Sequence, residues 1–196
     1  MGRSGITLDH FLREVRSCTL CAGKIPEPRP VFRFQSSAKI LIVGQAPGRK
    51  VHETGIPWND VSGELLRNWL NLDRETFYDE SRIAIIPSAL CFPGTESGKG
   101  DLPPPDICFK TWHHRFLEWF EPELTLAVGS YAICNYLQTN SLVSEVVHDW
   151  QKYLNAMKIF PLPHPSPRNR KWLADRPWFE TEVIPALRET INSILR

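Results

Sequence analysis

The hydrophobic positions of this chain fall into two kinds of pattern. Four stretches are apolar without alternation: residues 39–44 (KILIVG), 82–87 (RIAIIP), 124–129 (LTLAVG) and, more weakly, 157–162 (MKIFPL). Continuous runs of this length are expected of parallel strands covered on both faces, because neither side of such a strand meets water. Between them, apolar residues recur every three or four positions, which predicts helices. Residues 62–70 (SGELLRNWL) open at a Ser that suits an N-cap. Residues 105–120 carry Pro in the first turn and set Phe109, Trp112, Phe116 and Phe120 at helical spacing. Residues 130–137 predict another helix. Residues 177–195 predict a last one, with Phe179, Val183, Leu187 and Ile191 on one stripe. A shorter helix is expected over residues 8–16.

Strands that alternate with helices predict an α/β fold. The expected architecture is a three-layer α/β/α domain around a central, mostly parallel, four-stranded sheet. No internal repeat or linker interrupts the pattern, so residues 1–196 are read as a single domain. Ligands of such sheets bind outside the carboxyl ends of the strands. Three loops fall there: residues 45–48 (QAPG), 88–94 (SALCFPG) and 163–169 (PHPSPRN).

Composition narrows the function. There are 23 Lys+Arg against 22 Asp+Glu, a formal net charge of +1. That excludes a globally basic nucleic-acid coat and leaves room for a local basic patch. With 42% hydrophobic and 23% charged residues, the chain is outside the disordered and fibrous classes. No apolar run approaches the roughly 18 residues of a membrane span. Residues 1–10 lack the apolar core of a signal peptide, so a cytoplasmic location is expected.

The five cysteines are therefore expected as thiols rather than disulfides. Cys18 and Cys21 form a CxxC pair, and Cys91 and Cys108 follow far downstream. Cys134 lies in a helical pattern and reads as a small buried hydrophobe. Four thiols, two of them at CxxC spacing, suit a tetrahedral metal or an iron–sulfur cluster. Spacing does not separate zinc from iron–sulfur, and unremarkable cysteines are the bland alternative. A thioredoxin-like pair would follow a strand and open a helix, whereas Cys18 follows one.

Two loops carry candidate chemistry. Residues 44–48 (GQAPG) make a rigid turn with backbone amides suited to an oxyanion, or simply a strand-to-helix turn. In residues 163–169, Pro163 and Pro165 freeze His164 at a strand end. Arg168, Arg170, Lys171 and Trp172 follow, a basic patch with an aromatic beside it, compatible with a phosphate backbone or with a solvated helix start.

Together, residues 44–48, Gly55-Ile-Pro-Trp58, residues 62–66 (SGELL) and residues 164–169 (HPSPRN) resemble the uracil-DNA glycosylase superfamily. The first loop is similar to the GEAPG-type motif of its iron–sulfur, thermostable-type members. Cys18, Cys21, Cys91 and Cys108 match that group's four cluster ligands in order and spacing. The HPSPRN loop looks like the second motif of the single-strand-selective monofunctional uracil glycosylases. The likeness spans roughly residues 10–190.

The resemblance implies a monofunctional DNA glycosylase of base-excision repair, acting as a monomer on DNA that holds uracil or another deaminated base. Such an enzyme takes the base out of the stack and stabilises it as a leaving anion. Trp58 stands where members carry a stacking Phe. His164 would donate to the uracil O2, supplemented by amides around Gln45 and Ala46. Asp60 would orient water, or cap the helix that follows. His52 and Glu53 are further polar candidates. Ser166, Arg168 and Asn169 would contact DNA. A 4Fe-4S cluster, with zinc as the alternative, would tie the N-terminal segment to the long loop between Cys91 and Cys108.

Two departures matter. Ala46 stands where some members carry Asp or Asn, and Pro87, followed by Ser88, stands where many carry an Asn that reads the base edge. Ser88 becomes the candidate base contact, and a wider range of deaminated bases is expected. A second reading follows: a member that grips damaged or single-stranded DNA and cuts poorly. A third is a redox protein using Cys18 and Cys21. No Lys falls in the motif loops, Lys50 being nearest, which argues against a Schiff base.

Overall fold

In the computed structural model, which describes residues 6–98 and 100–196, all four expected strands pair in parallel. Helix α1 (Leu8–Arg16) precedes strand β1 (Ile40–Val43). Three helices, α2 (Arg49–Thr54), α3 (Val61–Leu70) and α4 (Arg74–Tyr78), lead to β2 (Ile83–Ile85). A small antiparallel hairpin, β3 (Thr95–Glu96) and β4 (Gly100–Asp101), comes before α5 (Asp106–Leu117) and β5 (Leu124–Val128). Helices α6 (Ser130–Leu137), α7 (Val143–His148) and α8 (Trp150–Met157) lead to β6 (Ile159–Leu162). A 3₁₀ turn (Pro167–Asn169), α9 (Arg170–Ala174), a π turn (Phe179–Val183) and α10 (Ile184–Leu195) close the chain.

The sheet order is β2-β1-β5-β6. Ile40 of β1 stands between Ile83 of β2 and Leu124 of β5, and Thr125 pairs with Ile159 of β6. From β1 to β2 the chain steps one way across the sheet; from β2 to β5 and on to β6 it steps the other way. Right-handed crossovers then put α3 on one face and α5 to α8 on the opposite one. The packing agrees. Trp69 of α3 meets Phe179 edge-on at 5.0 Å, beside α10. Phe116 of α5 meets Phe11 of α1 at 5.0 Å and Phe34 at 5.2 Å. The sheet is covered on both faces, which is why every residue of β1, β2, β5 and β6 is buried. This is the expected α/β/α architecture. Its connections diverge at β1 and β5, the switch point where such sheets open a crevice.

The structure amends several local expectations. Asp60, not Ser62, caps α3: its carboxylate accepts from the Gly63 N–H at 2.8 Å. A cap of this kind contributes about 1 kcal/mol. Cys134 is exposed rather than buried. Ala132 and Ile133 take the buried side of α6, and further rotation along the helix turns Cys134 outward. The last helix opens as a π turn, although Phe179, Val183, Leu187 and Ile191 do form its buried stripe. Helices α2, α4, α7 and α9 are too short to leave a periodic signature. Among the described residues no helix is long and apolar enough to cross a membrane.

Candidate active site

The loops leaving β1, β2 and β6 meet over the crevice and wall a cleft of about 600 Å³. From the first loop come Gln45, Ala46, Pro47 and Gly48; from the third come His164, Ser166, Arg168 and Asn169. Pro87 supplies the floor after β2, and Trp58 and Asp60 enter from the segment before α3. The first two loops continue the parallel ladder beyond the strands. Ser88 N–H donates to Gly44 O at 2.9 Å, and Ala89 N–H to Gln45 O at 3.0 Å.

Trp58 and His164 face each other, with ring centroids 5.7 Å apart and planes 37° from parallel. The indole lies directly on the end of β1. A Cβ at Gly44 would stand 2.7 Å from Trp58 Cζ2, so only glycine leaves room for the ring. The Trp58 backbone is left-handed, with φ 56°. For a bulky residue that conformation costs on the order of 1–3 kcal/mol, and it persists only where the surroundings impose it.

The His164 loop is pinned by its own polar groups. Its carbonyl accepts from Ser166 N–H and from Asn169 Nδ2, both at 2.8 Å. Ser166 Oγ accepts from Arg168 N–H at 3.2 Å. Asn169 therefore shapes the loop as well as lining the cleft. Burial pushes the His164 imidazole below its ordinary pKa, while the Asp60 carboxylate pulls the other way. The ring is neutral at pH 7 and offers one N–H as a donor.

Exposed Arg168 reaches from the rim to the hairpin, its guanidinium packed against Gly100. Thr95 and Asp101 of the hairpin complete the wall, with Thr95 Oγ1 3.4 Å from Asp101 Oδ1. The sequence reading missed both. The only local signal was the Gly-rich stretch of residues 94–100, a mark of tight turns.

Two groups of candidates sit elsewhere. Ser88 does not line the cleft; it is 1% exposed, and its hydroxyl has no partner among the described residues. His52 and Glu53 lie on α2, outside the cleft wall. His52 faces Glu27 at 3.4 Å, and Arg29 donates to the carbonyls of both residues. They tie the N-terminal segment to α2.

The other four sequence candidates converge on a separate place. Cys18, Cys21, Cys91 and Cys108 line one apolar hollow with Ile25, Leu90 and Trp112. Leu90 N–H donates to Cys108 Sγ at 3.2 Å. Burial pushes the Cys108 thiol up to about 12 and the Cys91 thiol up to about 11, and each is raised further by neighbouring thiols. Among the described residues no group of three or more His, Cys, Asp or Glu is placed to hold a metal ion.

Two comparisons bear on this arrangement. A type-4 uracil-DNA glycosylase of Saccharolobus solfataricus is 23% identical over 171 residues, covering 81% of this chain and 76% of that protein. The sequence profile of the uracil DNA glycosylase superfamily matches residues 32–188, well over half of the chain and every element from β1 into α10. The chain belongs to the uracil DNA glycosylase superfamily and is a hydrolase of N-glycosyl bonds.

Proposed function

We propose that the chain is a monofunctional DNA glycosylase of base-excision repair that releases uracil, or another deaminated base, from DNA. The observation that carries this reading is the facing pair of Trp58 and His164 in one cleft at the switch point of the sheet. An extruded base would lie against the indole, a contact of about 1–3 kcal/mol. As the glycosidic bond breaks, negative charge grows on the base. The neutral His164 N–H would then donate to its O2, beside the backbone at Gln45 and Ala46. Water adds its oxygen to the sugar C1′, and its proton goes to the departing base.

Asp60 suits the water-ordering role while capping α3. Its Oδ1 accepts from Gly63, and the residue lines the cleft. Hydrolysis by water rather than through a Schiff base is part of this proposal, since no Lys falls in the loops of residues 44–48 and 163–169. Pro87 offers no side-chain donor to a base edge, which supports a range wider than uracil. Arg168 lines the cleft, and exposed Arg170 and Lys171 follow it in the chain, which supports a DNA backbone as their partner.

The four thiols fit a 4Fe-4S cluster. They share one hollow with apolar walls, and Cys108 already receives an N–H, as cluster sulfurs do. A single zinc about 2.3 Å from each thiolate would need the sulfurs within about 4 Å of one another. The likeness to a type-4 uracil-DNA glycosylase supports the iron–sulfur group over zinc. Its role would be structural, remote from the reacting bond.

Oligonucleotides carrying uracil, hypoxanthine, xanthine or a thymine mismatch, assayed for alkali-labile sites, test the proposal. Abasic sites formed with turnover, and no borohydride-trapped adduct, are expected. Gel retardation without abasic sites would instead fit a DNA-binding member that cuts poorly, a reading favoured by the apolar Ala46 and Pro87 in the wall.

A further inference from the structure

The geometry points to Arg67, Tyr78 and Arg74 as positioning residues that clamp Pro57, Trp58 and Asn59 and so set the plane on which an extruded base stacks. This deepens, and rests on, the glycosylase reading of the cleft. None of the three lines the cleft, yet each holds one of these consecutive residues. Tyr78 Oη donates to Pro57 O at 2.8 Å. Arg67 Nη1 donates to Trp58 O at 3.3 Å and lies 3.5 Å from Tyr78 Oη. Arg74 Nη2 donates to Asn59 Oδ1 at 3.1 Å.

The donors are themselves held. The Arg67 guanidinium stands 5.5 Å from the Phe77 ring centre, and Phe77 is fully buried. Tyr78 has Arg33 and Arg74 over its ring, each at 5.2 Å. Helix α3, which carries Arg67, also packs directly on the Trp58 carbonyl. A Cβ at Gly63 would stand 1.7 Å from Trp58 O, so the helix reaches that carbonyl only because residue 63 is glycine. The left-handed Trp58 backbone is thus gripped at its carbonyl and at both neighbours. A bulky residue released from such a grip relaxes to an ordinary conformation and carries its ring off the end of β1.

Two measurements test the clamp. In single-turnover excision from a uracil oligonucleotide, Arg67→Met and Tyr78→Phe are each expected to slow release about tenfold, because a misplaced contact surface misaligns the base. In a Trp58→Ala background the same changes are expected to cost less than about twofold, because a residue acting through Trp58 has nothing left to act on. A tenfold loss that persists in that background overturns the clamp. Should Arg67→Met fail to fold, Arg67→Lys takes its place, keeping the charge and losing the planar fork.

The second measurement needs no turnover. The indole N–H resonance of Trp58, identified by its loss in Trp58→Phe, is expected to shift in Tyr78→Phe and in the Arg67 variant. The resonances of Trp112 and Trp150 are expected to stay in place and report an intact fold. An unmoved Trp58 resonance in both variants overturns the clamp. A wild-type protein that releases no base from any oligonucleotide refutes the glycosylase reading instead, and the resonance still decides the clamp.

Discussion

Two histidines show how surroundings set a residue's chemistry. Burial lowers the His164 pKa and so favours the neutral ring; on the proposed reading its contribution to the leaving base would be a hydrogen bond rather than a full charge. Replacing it by Ala is expected to lower the single-turnover rate by about 10²–10³, the usual cost of removing one preorganised donor. His113 is buried behind Pro87. Its Nε2 lies 2.9 Å from Pro87 O, which can only accept, so Nε2 carries the proton and Nδ1 accepts from Tyr136 Oη at 3.1 Å. Burial pushes its pKa from 6.5 down to about 4. Between those values the unfolded chain binds a proton that the folded chain refuses. Stability from this group is therefore full above pH 6.5 and is lost as the pH falls toward 4, by about 3 kcal/mol. His113→Gln is expected to flatten that part of the melting-temperature profile relative to the wild type. An unchanged acid slope would show that His113 titrates freely.

Elements place these residues, and two of them serve two ends. Asp60 caps α3 and faces the cleft, so its roles separate by substitution. Asp60→Asn keeps a good cap; it is expected to leave the melting temperature unchanged and to slow excision if the carboxylate orders water. Asp60→Ala is expected to lose about 1 kcal/mol of stability as well. Equal excision by Asp60→Asn and wild type would leave the carboxylate with capping alone. In the His164 loop the Ser166 N–H and the Asn169 side-chain amide hold the His164 carbonyl, while Arg168 lines the cleft and is exposed. Arg168→Ala is expected to weaken binding to every DNA sequence alike and to lower the slope of affinity against salt by about one, since a phosphate contact carries no base information. An unchanged slope would remove Arg168 from the DNA contact.

Across the molecule, the cysteine hollow joins segments that are distant in sequence. Cys18 and Cys21 follow α1, Cys91 follows β2, and Cys108 lies in α5. A cluster there would lock the N-terminal segment onto the helical layer that carries Phe11, Trp112 and Phe116. Cys91→Ser is expected to cost the protein its visible absorbance and bound iron. A stability loss of about 2 kcal/mol would lower the melting temperature by about 4–8 °C for a chain of this length. Colourless wild-type protein with stoichiometric zinc would overturn the iron–sulfur assignment.

The linear chain alone determined the strand runs, the α/β class and the two motif loops. Each of these is written in adjacent residues: unbroken apolar stretches, helical spacing, or a proline-locked turn. The order of the four cysteines was equally plain, but their common hollow comes from folding. Tertiary structure alone decided that Ser88 turns into the core, that Cys134 faces out, and that Thr95 and Asp101 close the cleft. It also decided that Tyr78 reaches back twenty-one residues to Pro57. Such contacts depend on where the crossovers bring remote segments together, and no local period of hydrophobic or polar residues encodes that meeting.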